Sequence, residues 1–273
     1  MPQQSPPDIF DRKRLAALRR RAATSLHNDQ FLWQYMADEL TDRLACVTRN
    51  FEHMLIIGPI GRYAAQISQG SNMTVTHADF IEEDRLPCPP DSCDLIVSAG
   101  SLDQMNDLPG ALIQMRRALR PDGLLLANLF GSGSLSALKA VMMEADGDRI
   151  SAHIHPQIDL RAMADLLVRA GFALPVADID RLSVRYKDWR RLVDDIRAMG
   201  FGNALAGARP FLGKDYPDRL SSAWAARAEA DGKVTEQFQF LQISGWAPSP
   251  DQPKPAKRGS ASVSLAKILG SGV

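Results

Sequence analysis

Apolar and polar positions along this chain follow two different periods. Between Ile9 and Leu26, Leu15, Leu18 and several alanines fall on one stripe with arginines opposite, which predicts an amphipathic helix. A second helix is expected over Asp29–Cys46, burying Phe31, Leu32, Tyr35, Met36, Leu40 and Leu44. The pattern then changes. His53–Gly58 (HMLIIG) is a short apolar run closed by glycine, as in a strand buried on both faces. Asn72–His77 is rich in β-branched residues, and Asp94–Ala99 and Gly123–Phe130 are further apolar runs. Helical segments at Arg62–Gln69 and Pro109–Leu119 fall between them. Strands alternating with helices predict βαβ units and a parallel sheet, with the strand ends that flank a ligand crevice on one rim.

Further along, Leu135–Ala145 and Asp159–Ala170 read as helices, the second stopped by Gly171. Ala173–Val184 reads as a strand. Lys187–Met199 groups Trp189, Leu192, Val193 and Ile196 on one side and is halted by Gly200, and Tyr216–Ala230 is another helix. Val234–Trp246 alternates through Phe238, Phe240 and Ile243 and is expected to be a long final strand. Residues 1–8 are polar and Pro-rich, and from Pro248 the chain is rich in Pro, Lys, Ser and Gly up to Leu265–Leu269. The expected organisation is an N-terminal helical cap over 1–46, an α/β domain over 47–248 with a helical insertion at about 187–230, and a flexible tail over 249–273.

Composition narrows the function classes. The 273 residues are 45% hydrophobic and 23% charged, enough to bury a sizeable core without staples. Thirty-two basic residues balance 32 acidic ones, so no global field draws the chain to nucleic acid or an anionic membrane. No apolar run approaches the ~20 residues of a membrane span. Cys46, Cys88 and Cys93 form no metal-type pair and read as free thiols in a reducing compartment, so a cytoplasmic location is expected. The sequence carries no signal of oligomeric state.

Candidate chemistry centres on two loops. Gly58-Pro59-Ile60-Gly61 follows the first strand, where glycines let a ligand approach backbone. The string Leu86–Leu102 (LPCPPDSCDLIVSAGSL) places an Asp at the start of an apolar strand and small residues at its end. It continues through Asn106–Leu112 and then Arg116–Leu124, a helix closed by a Pro-Asp-Gly turn that feeds another strand.

These strings resemble the class I methyltransferases. Within them the chain resembles the branch of the alphaproteobacterial and mitochondrial complex I assembly factor of arginine-hydroxylase type, related to the biotin-pathway malonyl-carrier methyltransferases. Ile9–Arg12, Asn128–Gly131, Ala170–Phe172 and Gln242–Pro248 extend the likeness over nearly the whole chain. The resemblance implies an α/β, Rossmann-like fold with a mostly parallel sheet, flanking helices and an N-terminal helical cap. It implies S-adenosyl-L-methionine as cofactor and a protein or carrier-bound substrate, with a respiratory complex I subunit as partner. The cofactor residues it implies are Gly58, Gly61, Asp79, Ala99, Ser101 and Leu102, with Asp79 standing either at the ribose or near the adenine.

The departures point the other way. Ile56 stands where the family places an acid two positions before the first loop glycine, and the loop is one residue short. Only about 20 residues separate Gly70 from Cys93, so a strand–helix unit is shortened. Asp103-Gln104 replaces the family's His-Trp. A degenerate, non-catalytic binding protein is therefore the alternative reading. No nucleophile–base pair is identifiable, so no catalytic residue is assigned. His153 and His155 lack further ligands at metal spacing. The arginines between Arg12 and Arg21 read as a solvated helix face with salt bridges or, by the resemblance, as part of the pocket mouth.

Overall fold

The structure, a computed structural model, describes residues 8–24, 30–78, 80, 85–148, 151–208 and 212–253. Two helices, α1 (Arg12–Thr24) and α2 (Phe31–Ala45), precede a six-stranded sheet. The strands are β1 (His53–Ile57), β2 (Thr74–Ala78), β3 (Cys93–Ala99), β4 (Leu119–Phe130), β5 (Ala173–Tyr186) and β6 (Val234–Trp246), arranged β2-β1-β3-β4-β6-β5. The four expected parallel strands are adjacent and parallel; β6 then runs antiparallel to β4, and β5 antiparallel to β6.

Side-chain alternation along β1 explains the layering. Met54 and Ile56 point into one apolar cluster, and Leu55 and Ile57 into another. The first cluster is covered by α2, α3 (Ala64–Ile67), α5 (Ser136–Asp146), α7 (Trp189–Ala198) and α8 (Tyr216–Ala225). The second is covered by α4 (Leu108–Ala118) and α6 (Leu160–Ala170). Ile56, the residue in place of the family's acid, is fully buried in the first cluster.

Several boundaries move for identifiable reasons. The expected helix over Arg62–Gln69 is reduced to a single turn, α3, because the 3-10 turn Pro59–Tyr63 takes its first two residues and the helix stops at Ile67. The Pro121-Asp122-Gly123 turn lies within β4 as a bulge, since pairing to β3 jumps from Cys93–Leu119 to Leu95–Leu124. The helix expected to reach Ala230 ends at Ala225, and beyond it Glu229 and Asp231 bind Arg185 of β5 at 2.8 and 2.7 Å. Among the described residues between Ala78 and Cys93 there is no helix or strand. Most of the expected flexible tail, residues 254–273, lies outside the described residues. No described helix is long and apolar enough to cross a membrane.

Asp94, at the start of β3, has a structural task. Its carboxylate accepts from the backbone N–H groups of Glu52 and His53, both at 2.9 Å, and so fixes the entry of β1 beside β3. Glu52, His53 and Asp94 bring three possible ligand atoms within 4.8 Å, but these backbone bonds already occupy Asp94.

Candidate functional site

The carboxyl ends of β1, β3 and β4 share one rim. Gly58 holds φ 91° at the turn after β1 and its N–H donates to the Ala78 carbonyl at 3.2 Å. A Cβ on Gly58 would lie 2.3 Å from Ser101 Oγ and 2.7 Å from the Ala99 carbonyl. Gly58, Ala99 and Ser101 are thus brought into contact. Gly61 faces β2 instead, with a Cβ there 2.8 Å from His77 Nδ1. Leu102 starts a 3-10 turn, Leu102–Gln104, and packs in the cluster on the α4–α6 face. Asp79 lies outside the described residues.

Trp33, in the first turn of α2, closes this rim. Gly100 holds φ 70°, and a Cβ there would lie 2.2 Å from Trp33 Cη2, so the indole edge packs directly on the loop after β3. Trp33, Ile60 and Ser101 have no exposed surface. Trp33 Nε1, Ser98 Oγ and Ser101 Oγ are nevertheless buried without a partner among the described residues. From α1, Arg19 donates to the Gly100 carbonyl at 2.9 Å and Arg12 to the Gln104 carbonyl at 3.3 Å. Arg14 donates to the carbonyls of Leu205 and Gly207 at 2.6 and 2.8 Å. These arginines pin α1 to the rim and to the segment after α7.

For S-adenosylmethionine, this rim has fitting chemistry. The glycine turn and the unpaired Ser101 hydroxyl suit a polar ligand. The space against Gly100 is taken by the Trp33 indole.

A cavity of about 640 Å³ opens beside the rim, between α1, α5, α7 and the end of β4. Phe130, Leu138, Met142, Ile196 and Phe201 make its apolar wall. Asp103, a half-buried acid, lies on its wall. Asp103 Oδ1 accepts from the Phe130 N–H at 2.5 Å, whereas Oδ2 is buried without a partner among the described residues. Burial pushes the Asp103 carboxyl up to about 7, against the opposing pull of backbone hydrogen bonds and the Arg19 charge.

His153 and His155 also line the cavity, but as pegs for their own segment. His153 Nε2 sits 2.8 Å from Asp146 Oδ1, and Asp146 also accepts from the Ser151 N–H at 2.8 Å. His155 Nε2 accepts from the Ala204 N–H at 2.9 Å, and burial lowers its pKa to about 4, so it is neutral. Sequence reasoning missed Trp33, Phe130, Phe201 and the role of Arg19. Trp33 had a signal, since Trp33, Met36 and Leu40 fall on one helical stripe.

Comparison with known proteins shows the family. The methyltransferase domain family matches residues 29–175, more than half of the chain. The mitochondrial arginine-hydroxylase NDUFAF5 of Homo sapiens is 30% identical over 96% of this chain and 83% of its own length. The Danio rerio protein of the same name is 29% identical over 96% of this chain and 89% of its own length. Malonyl-[acyl-carrier protein] O-methyltransferase of Laribacter hongkongensis is 32% identical over 61% of this chain and 55% of its own length. Among solved structures, the YcgJ protein of Bacillus subtilis covers 79% of this chain and 99% of its own at 14% identity, with a TM-score of 0.49. The chain belongs to the S-adenosylmethionine-dependent methyltransferase domain family, in the branch of the NDUFAF5 arginine-hydroxylases.

Proposed function

We propose that this family member binds a segment of another protein, a respiratory complex I subunit, and seats one arginine side chain of it in the cavity beside the rim. The observation that carries this reading is the unpartnered, buried Oδ2 of Asp103 on the wall of a cavity that is otherwise largely apolar. An arginine matches both features. Its guanidinium offers paired donors to a carboxylate, and its methylenes lie well against apolar walls. The name of the relatives, arginine-hydroxylase, supports the same substrate class. Arg197, at the cavity edge, is paired with Asp194 at 3.5 Å, and Arg21 lines the cavity as an exposed cation.

Calorimetric titration with arginine-containing peptides from complex I subunits tests this. Asp103→Asn keeps the shape but loses the charge, and is expected to weaken binding roughly ten- to a hundredfold, the worth of one charge-assisted contact. Affinity for wild type should rise as pH rises through about 7, where Asp103 ionises. Equal binding of an arginine peptide and its citrulline counterpart would refute the reading.

The closed rim favours a second reading, a non-catalytic binding protein on the same fold. Both readings use the cavity and differ on whether S-adenosylmethionine gains access to the rim.

A further inference from the structure

We infer that Trp33 is a built-in occupant of the cofactor crevice, so that an adenosyl ligand and the indole compete for the same space against Gly100. The inference does not depend on what the neighbouring cavity holds.

Three observations carry it. The first is steric. The loops after β1 and β3 touch at Gly58 and Ser101, and the indole edge sits where even a methyl group on Gly100 would clash at 2.2 Å. A ligand lying across these strand ends must take the place of the ring.

The second is polar bookkeeping. Ser101 Oγ and Trp33 Nε1 are both buried without partners among the described residues. Native interiors rarely leave such groups unpaired. The indole ring offers the Ser101 hydroxyl no acceptor, whereas a ribose beside Gly58 supplies both donors and acceptors.

The third is mechanical. α2 is anchored to the sheet from Tyr35 onward. Tyr35 bonds Asp180, Arg43 holds Asp178 at 2.8 and 2.9 Å, and Asn128 Nδ2 donates to the Met36 carbonyl at 3.0 Å. Trp33 precedes these anchors, in a turn tied instead to the segment after β1 by Arg62, which donates to Gln30, and by Gln34, which donates to Gln66 at 3.0 Å. Both pairs are exposed, and the Gln30 side chain makes no capping bond. The plug therefore sits on the turn of α2 that is not bonded to the sheet, and its release needs no movement of the sheet. Trp33 also borders Phe201 of the cavity wall, with ring centroids 6.2 Å apart, so displacement of the indole reaches the cavity.

The test is a titration with S-adenosylhomocysteine of the full chain, wild type against Trp33→Leu, joined to amide exchange of the wild type with and without ligand. If the crevice-open state is a minor population, apparent affinity is reduced by that fraction. Trp33→Leu is then expected to bind at least roughly tenfold more tightly than wild type, with Trp33→Phe in between. In the wild type, saturating ligand should speed exchange in the first turn of α2 while slowing it in the loops after β1 and β3. Equal affinity of wild type and variant would overturn the inference. So would a bound wild type in which the first turn of α2 stays as protected as before, or the absence of binding to any folded Trp33 variant. Where Trp33→Leu does not fold, Trp33→Phe takes its place, and the same outcomes decide.

Discussion

Asp103 shows how one substitution reaches beyond its own position. A carboxyl pushed up to about 7 by burial is held neutral more strongly in the folded chain than in the unfolded one. Its stabilising contribution is complete below the ordinary carboxylate value of 3.8 and is lost as pH rises through about 7. Asp103→Asn removes this loss. The melting temperature of the variant relative to wild type is expected to rise from about pH 4 to about pH 7 and to level off above, and a difference independent of pH would show that the group titrates normally. Gly58 makes a second test at the same scale. Gly58→Ala must hold φ 91° and meet Ser101, whereas Gly70→Ala holds φ 78° with nothing within 4 Å. Denaturant titration should find about 1–2 kcal/mol lost at Gly70 and more than that at Gly58. Gly58 was legible in the sequence because a glycine after a buried strand marks a special turn. What packs on Gly100 was not, since helical periodicity tells that Trp33 is buried but not against which partner.

Elements were the most readable level, and their ends the least. β6 falls on the expected residues, and α6 is bounded as its sequence dictates. Asp159 accepts from the Ala162 N–H at 2.8 Å at one end, and Gly171 takes φ 85° at the other. Asp159→Ala is expected to cost about 1 kcal/mol in equilibrium unfolding, and an unchanged midpoint would show that the cap contributes nothing. α1 was legible only in outline. Its arginines read as a solvated face with salt bridges or as part of the pocket mouth; Arg14 pairs with Asp11 at 3.3 Å, and Arg12, Arg14 and Arg19 reach backbone carbonyls of distant loops. A guanidinium has donors enough for water, carboxylate or carbonyl, and the sequence around it does not choose among them. The rim is consequently shaped by side chains from the cap, which no loop motif discloses.

For the molecule as a whole, the parallel order of β1 to β4 follows from short apolar strands alternating with helices, and this much the sequence foretold. The antiparallel pair β6–β5 brought a consequence that alternation alone does not give. Because β6 returns beside β4, Phe240 stands opposite Phe130 and their rings lie 5.1 Å apart, which builds the floor from which Phe130 faces the cavity. Candidate residues drawn from the two loops located the rim, while the open space lies beside it, under helices that arrive from both ends of the sequence.

The bulge in β4 settles where a tether can be attached. Gln252 Nε2 donates both to Asp122 Oδ1 and to the Ala247 carbonyl, each at 2.9 Å, and so clamps the chain after β6 to the amino end of β4. Leu124 and Phe130 are separated by six residues of strand, roughly 20 Å. In a chain shortened to end just after Gln252, a surface linker or an affinity handle joined there therefore departs from the end opposite Gly58 and Trp33, and an immobilised molecule presents its rim to the solution.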